Sequence, residues 1–394
     1  MMVAVLAALL VQGPAPSPLS LDAAIRRAIA ARGQVAEARA AVAEARAGRR
    51  LAGQIPNPSL SYEHTGDPPR QHLLFDQPLS WLATRGSSRA AAAAAIRRAR
   101  ADSIFLVAGV VLEVREAFYG ALGAQEIERL VREEVAAADS LTLIARRRLE
   151  AGDISRFESE QAAQESRRGQ QQLSQAREDS RAANAAFASA LGWAEAGPPV
   201  PAGEMDQGVD LASGGEFTPD SIPQVMSAVA DSAALALEWR STRRGRLPIP
   251  SITAGADWDD PGAPGQTLSV IGFAVPLPLW NTGSAEAALA RARADRGAAL
   301  AREARLEGTR AWTEARARLE ESALRARFAR DSLVPAARAL REQALAAYRA
   351  GETNLLAVLD ALRSEREVVL AQIRDFTAFQ AALAAWRALF GRIE

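Results

Sequence analysis

Apolar side chains recur at helical spacing over residues 20–52. Leu21, Ile25, Ile29, Val35 and Val42 are separated by alanines, which predicts an amphipathic helix capped by Ser20. The period changes at Ile55-Pro56-Asn57-Pro58, because proline supplies no amide proton and disfavours helix at the residue before it. Residues 59–64, SLSYEH, alternate strictly, with Leu60 and Tyr62 on one face and Ser59, Ser61 and Glu63 on the other. A turn at TGDPPR and a return run HLLFDQPLSW (72–81) complete a β-hairpin at about 56–81.

The same event recurs at about 247–280. LPIPSITAGADW sets Ile252, Ala254, Ala256 and Trp258 against Ser251, Thr253, Gly255 and Asp257; DDPGAPG turns, and QTLSVIGFAVPLPLW (266–280) returns. Pro58 answers Pro250, and Gln77-Pro78-Leu79 answers Val275-Pro276-Leu277. Strands of about ten residues with one apolar and one small or polar face suit an outer-membrane barrel; a half-buried hairpin packed on helices has the same pattern.

A long helix is predicted after each hairpin. Residues 85–150 contain no proline and carry Ile104, Val107, Val111, Val114, Phe118, Leu122, Leu130, Leu141 and Ile144. About 65 residues at 1.5 Å each make a rod of roughly 100 Å. Residues 284–350 repeat this, with a kink or break expected at Pro335. Such helices pack side by side as coiled coils, with arginines and acids on outer or lumen faces. The rods turn back at Gly152-Asp153 and Gly351-Glu352. Glycine offers a left-handed C-cap, and Asp153 or Ser155, and Glu352 or Thr353, can serve the next helix's N-terminus. The return helices end at Leu191-Gly192 and Leu389-Phe390-Gly391.

Residues 147–192 align without a gap on 346–391, so the fold class is mainly α with β, built from a duplicated helix–β-hairpin–long helix–helix unit. Repeat 1 spans 17–193 with its tip at 151–155, and repeat 2 spans 218–394 with its tip at 350–354. A linker rich in Gly and Pro occupies 194–217, and Ser221-Ile222 opens the second copy as Ser20-Leu21 opens the first. Residues 1–16 begin MMVAVLAALLVQ, too short an apolar run to span a bilayer but suited to a signal-peptide core, although the basic n-region is missing. A disordered apolar N-terminus is the plainer reading of that run.

Composition narrows the function. With 47 basic and 47 acidic residues the net charge is zero, so no electrostatic footprint for nucleic acid is present. There is no cysteine, which excludes disulfides, thiolate metal sites and a lipoprotein anchor. Two histidines make a His-based catalytic or zinc site improbable. No enzyme activity and no cofactor is expected.

Several stretches together resemble the TolC family of outer-membrane efflux proteins. They are SLDAAIRRAI at the opening, Ile55-Pro56-Asn57-Pro58, and Pro276-Leu277-Pro278-Leu279-Trp280-Asn281 with Gly283, followed by the tip YRAGETNLLAVLDA (348–361) and the closing LFG. The form without cysteine is most similar to the heavy-metal branch typified by CzcC. The resemblance implies a homotrimer whose α-helical barrel continues a twelve-stranded transmembrane β-barrel. It would lie in the outer membrane of a Gram-negative bacterium, with the helices in the periplasm. It implies a passive exit duct for metal cations or small toxic compounds. A periplasmic adaptor would join the duct to an inner-membrane pump, of RND type.

Carried over by position, Gly152, Asp153, Ser155, Gly351, Glu352 and Thr353 match the adaptor-facing tips. Asp360 matches a carboxylate that rings the periplasmic entrance. A second acid one turn earlier in some members is Ala357 here, which puts a double-acid constriction in doubt. A ring of Asp360 would favour cations; a solvated helix face is the plainer reading. His64 and His72 flank the first strand turn, at the expected extracellular mouth, where imidazoles can ligate transition metals or stand as ordinary surface residues. Three other readings remain: a periplasmic adaptor or structural coiled coil, a type I secretion duct, and a cytosolic helical scaffold.

Overall fold

Four prolines mark where helix gives way to strand. Pro58 and Pro250 immediately precede strands, Pro78 ends one, and Pro276 follows shortly after another. A proline has no N–H to give a ladder, so pairing stops there. The computed structural model of the chain describes residues 18–195, 197–210 and 217–391; the leader expected at 1–16 lies outside them. In chain order the elements are β1 (Pro18–Leu19), α1 (Leu21–Ala31), α2 (Gly33–Leu51), β2 (Ser59–His64), β3 (Gln71–Pro78), α3 (Trp81–Ala151) and α4 (Arg156–Leu191). Then follow β4 (Val200–Pro201), α5 (Pro223–Gly245), β5 (Ser251–Trp258), β6 (Leu268–Ala274), α6 (Ser284–Phe328), α7 (Val334–Ala350) and α8 (Leu355–Leu389).

These residues divide into two compact units. The sheet unit takes Ala36–Leu106 and Phe217–Arg310. Its two hairpins join into one antiparallel sheet of order β2-β3-β5-β6. The strands have six to eight residues, shorter than the ten expected, because the prolines close them at one end. Beside the sheet, α6 buries Ala287, Ala290, Ala294, Gly297, Ala301, Ala304 and Gly308. Their spacing alternates three and four, the seam of a left-handed coiled coil, and every member is small. The partner is α5: a Cβ on Gly297 would lie 2.7 Å from Leu235 Cδ1, and one on Gly308 2.8 Å from Val225 Cγ2. Close approach is thus what the alanines and glycines provide.

Of the described residues, the tip unit takes 18–35, 107–195, 197–210 and 311–391. Phe118 and Phe187 meet edge to face at 5.6 Å and are both fully buried, joining α3 to α4. Leu319, Ala323 and Ala326 of α6 pack on Phe376 and Phe379 of α8.

Two expectations are corrected, and a third takes a specific form. The helix foreseen at 20–52 breaks at Arg32, whose guanidinium binds both oxygens of Glu113 at 2.7 and 3.2 Å and the carbonyl of Ser189 at 3.2 Å. The interruption expected at Pro335 takes the form of a π-helical turn at Ala329–Leu333, with α7 restarting at Val334. Residues 199–210 are no loose linker: Val200–Pro201 pair in parallel with Pro18–Leu19, and Val209 is buried against α6 and α8. Gln380 Nε2 donates to the carbonyls of Met205 and Gln207, at 2.8 Å each.

The small-residue seam yields a test. Ala301→Leu should overpack the α5–α6 contact and destabilise the protein by ~1–3 kcal/mol. Denaturant unfolding of the purified variant would read this, and an unchanged midpoint would show that the seam tolerates a larger side chain.

Candidate functional site

Three features of the molecule bear on function, and the sheet is the first. Register places Leu60, Tyr62, Leu73, Phe75, Ile252, Ile271 and Phe273 on one face. All are exposed, Ile271 to 85% and Phe273 to 79%. On the opposite face β3 and β5 set polar side chains toward both ends, with Leu74 and Gly255 between them. Asp76 accepts hydrogen bonds from Ser251 at 2.8 Å and Thr253 at 3.0 Å, and His72 Nδ1 lies 2.9 Å from Asp257 Oδ1. Strict alternation puts His64, opposite Gln71, and His72, opposite Glu63, on different faces. The two imidazoles therefore cannot ligate one metal ion. Among the described residues no three His, Cys, Asp or Glu side chains gather to hold one. Large apolar residues also stand exposed at the helix–strand junctions: Ile55, Leu82, Leu247, Leu277, Leu279 and Trp280, the last to 93%.

Second are the two turns of the tip unit. Gly152 (φ 79°) and Gly351 (φ 78°) adopt the left-handed conformation in which L residues with a Cβ are strained. Ser155 caps α4 in a capping box with Glu158, whereas Asp153 makes only a backbone bond to Arg148 O. In the second copy neither Glu352 nor Thr353 caps α8; Asn354 does, accepting from the Ala357 N–H. Its side chain reaches the N3 amide from the position equivalent to Ser155. The tips lie together: Arg148 donates to the Tyr348 hydroxyl at 2.6 Å, and Ala145, Ala162, Leu355 and Leu359 form one cluster. Phe157 and Leu356, one residue into α4 and α8 at equivalent places in the repeat, are exposed to 71% and 50%. Neither was singled out in the sequence, although both follow a cap, where an apolar residue is unusual in water. Asp360 is exposed on α8, three residues before Arg363, whose positive charge offsets its own.

Third is a cavity of about 610 Å³ among α3, α4, α7 and α8, lined by Glu134, Glu165, Glu365 and several arginines. Glu165 hydrogen-bonds Arg363, which holds its carboxyl below the usual range. Burial pushes Glu134 from 4.5 up to about 7; Arg366 opposes that rise, and Glu365 and Glu165 add to it. No sequence signal could have assembled this group, since its members come from four helices far apart in the chain.

No family model matches the chain, and no curated protein matches it by sequence. Solved structures do match. A membrane protein from Pseudomonas aeruginosa superposes with a TM-score of 0.73 at 19% identity, over 95% of this chain and 93% of that one. The outer membrane protein VceC of Vibrio cholerae gives 0.71 at 16% identity, over 95% and 97%. The MtrE outer membrane channel of Neisseria gonorrhoeae, in its open state, gives 0.71 at 16%, over 94% and 88%. The chain has the fold of the outer-membrane channels. At such identities the likeness is one of fold, and the resemblance to the TolC family read from the sequence stands in that sense. In this channel fold no described helix is long and apolar enough to cross a membrane, which leaves the sheet unaddressed.

Glu134 carries a pH prediction. A carboxyl with a higher pKa folded than unfolded keeps a proton between about pH 4.5 and 7 that the unfolded chain releases. Its stabilising contribution is present at low pH and lost as pH rises through about 7. Glu134→Gln should therefore melt higher than the parent near pH 8 and together with it near pH 5. Circular dichroism melts at the two pH values check this, and equal differences at both would refute the assignment.

Proposed function

We propose that the chain is an outer-membrane exit duct of a tripartite efflux system. The observation that carries the reading is the four-stranded sheet: one face large, apolar and exposed, the other mixed, with Asp76, Thr253, His72 and Asp257 beside Leu74 and Val270, and both outer strands, β2 and β6, with a single neighbour each. An apolar outward band with a polar lumen is the pattern of a transmembrane barrel. Unpaired strand edges demand a partner, and in a membrane they must be closed. Three copies in a ring, each pairing its β2 with the next chain's β6, would close twelve strands from four apiece. The exposed Trp280, Leu277 and Leu279 then suit the membrane–water interface, where Trp is enriched. A periplasmic adaptor or a cytosolic scaffold would instead leave this whole apolar face in water.

In this reading the helices form the periplasmic conduit, the tips meet a periplasmic adaptor, and an inner-membrane pump supplies energy. The cargo is metal cations or small toxic compounds. No catalytic step is needed in a passive duct.

Membrane fractionation followed by mass measurement of the detergent-extracted particle tests the proposal. A trimer in the outer-membrane fraction is expected, with lipid-borne photolabels reaching Leu60, Tyr62, Ile252 and Trp258 and sparing Ser61 and Thr253. A soluble monomer or dimer would sink it. At the tips, the double variant Phe157→Ser, Leu356→Ser should weaken capture of the adaptor by about tenfold or more, the scale of losing buried apolar anchors. The trimer should stay intact. Undiminished capture would remove these side chains from the docking surface.

A further inference from the structure

The cavity of the tip unit has no part in the duct reading so far. Its volume, about 610 Å³, suits a drug-sized molecule. The apolar part of its wall comes from Leu130, Leu141, Leu359, Leu362 and Val369. Against this stands an imbalance of charge. Glu165 is bonded to Arg363 and lies 3.8 Å from Arg366, while Glu365 lies 3.2 Å from Arg341 and 3.9 Å from Arg338. Two carboxylates thus face four guanidiniums. A third carboxyl, Glu134, has no hydrogen bond or ion pair among the described residues; its burial raises its pKa to about 7, so that near neutral pH about half of it is the neutral acid, a donor.

Other charges do not cancel the excess. Arg129 is taken up by Glu126 and Glu133, at 2.8 Å each. Glu342, 3.5 Å from Arg341, and Asp360, beside Arg363, are exposed and screened by water and salt. Guanidinium forks match carboxylate and sulfonate oxygens in geometry as well as charge.

We infer that this cavity binds small organic anions, a carboxylate or sulfonate meeting the arginines and a hydrocarbon body lying on the leucines. The site belongs to the four helices alone, so it stands or falls independently of the membrane reading.

Calorimetric titration of naphthalene-2-sulfonate into the purified full-length protein tests it, with protein-free buffer as the blank. The cation 2-naphthylmethylammonium serves as a counterpart with the same hydrocarbon body. One saturable sulfonate site per chain is expected, and no saturable site for the ammonium. Arg341→Gln should weaken the sulfonate about tenfold, the scale of one charge-assisted contact. Leu362→Trp, which fills the apolar wall and removes no charge, should weaken it similarly and decides the matter if the arginine variant does not fold. Absence of saturable sulfonate binding, equal binding of the ammonium, or affinity unchanged in both variants would overturn the inference.

Discussion

Every strand needs partners for its backbone, and every large apolar face needs cover. The four-stranded sheet of this protein meets neither requirement by itself. Ile271 and Phe273 on β6 are among its most exposed side chains, and β6 is also an outer strand. An edge that is both unpaired and apolar is a hazard that soluble proteins blunt with charge, proline or a covering helix. Here the prolines stand at the strand ends, where they limit the length of the sheet, and not within the strands. In the proposed duct, other strands complete this sheet and an apolar surrounding covers it.

The helices answer a different constraint. In α6 the buried positions from 287 to 308 are alanine or glycine throughout, so α5 comes close enough for Leu235 and Val225 to touch where a Cβ would be. Past residue 311 the same stripe changes to Leu319, Ala323 and Ala326, which meet phenylalanines of α8. Small residues permit close axes in one unit, and aromatic residues fill wider spacing in the other. On the exposed helix faces, i,i+4 pairs such as Arg316–Glu320 and Arg325–Glu321 contribute only tenths of a kcal/mol each (~0.3–0.5).

The tips show how duplication conserves geometry while exchanging chemistry. Gly152 and Gly351 take the same left-handed angle. Ser155 and Asn354 cap the following helices from equivalent places, yet Glu158 completes a capping box in the first copy where Ala357 cannot in the second. The exposed pair Phe157 and Leu356 keeps apolar character with a different side chain. Arg148 and Tyr348 tie one turn to the other, so the two copies present their tips as one surface.

Much of this was written in local pattern. Alternation in SLSYEH and SITAGADW, the prolines beside them, the glycines at the turns and the repeat at 147–192 and 346–391 specify strands, tips and duplication, because each depends on neighbours a few residues apart. Tertiary structure decided the rest. Arg32 breaks a well-patterned helix because Glu113 and the end of α4 hold its side chain. Residues 199–210 read as a linker, but Val209 finds a place between α6 and α8. His64 and His72 look like a pair until register sends them to opposite faces. The charged cavity draws on four helices, and the burial that lifts the Glu134 pKa exists only once they pack. Sequence determines what short-range geometry can enforce; burial, pairing partners and charge environment are properties of the folded whole.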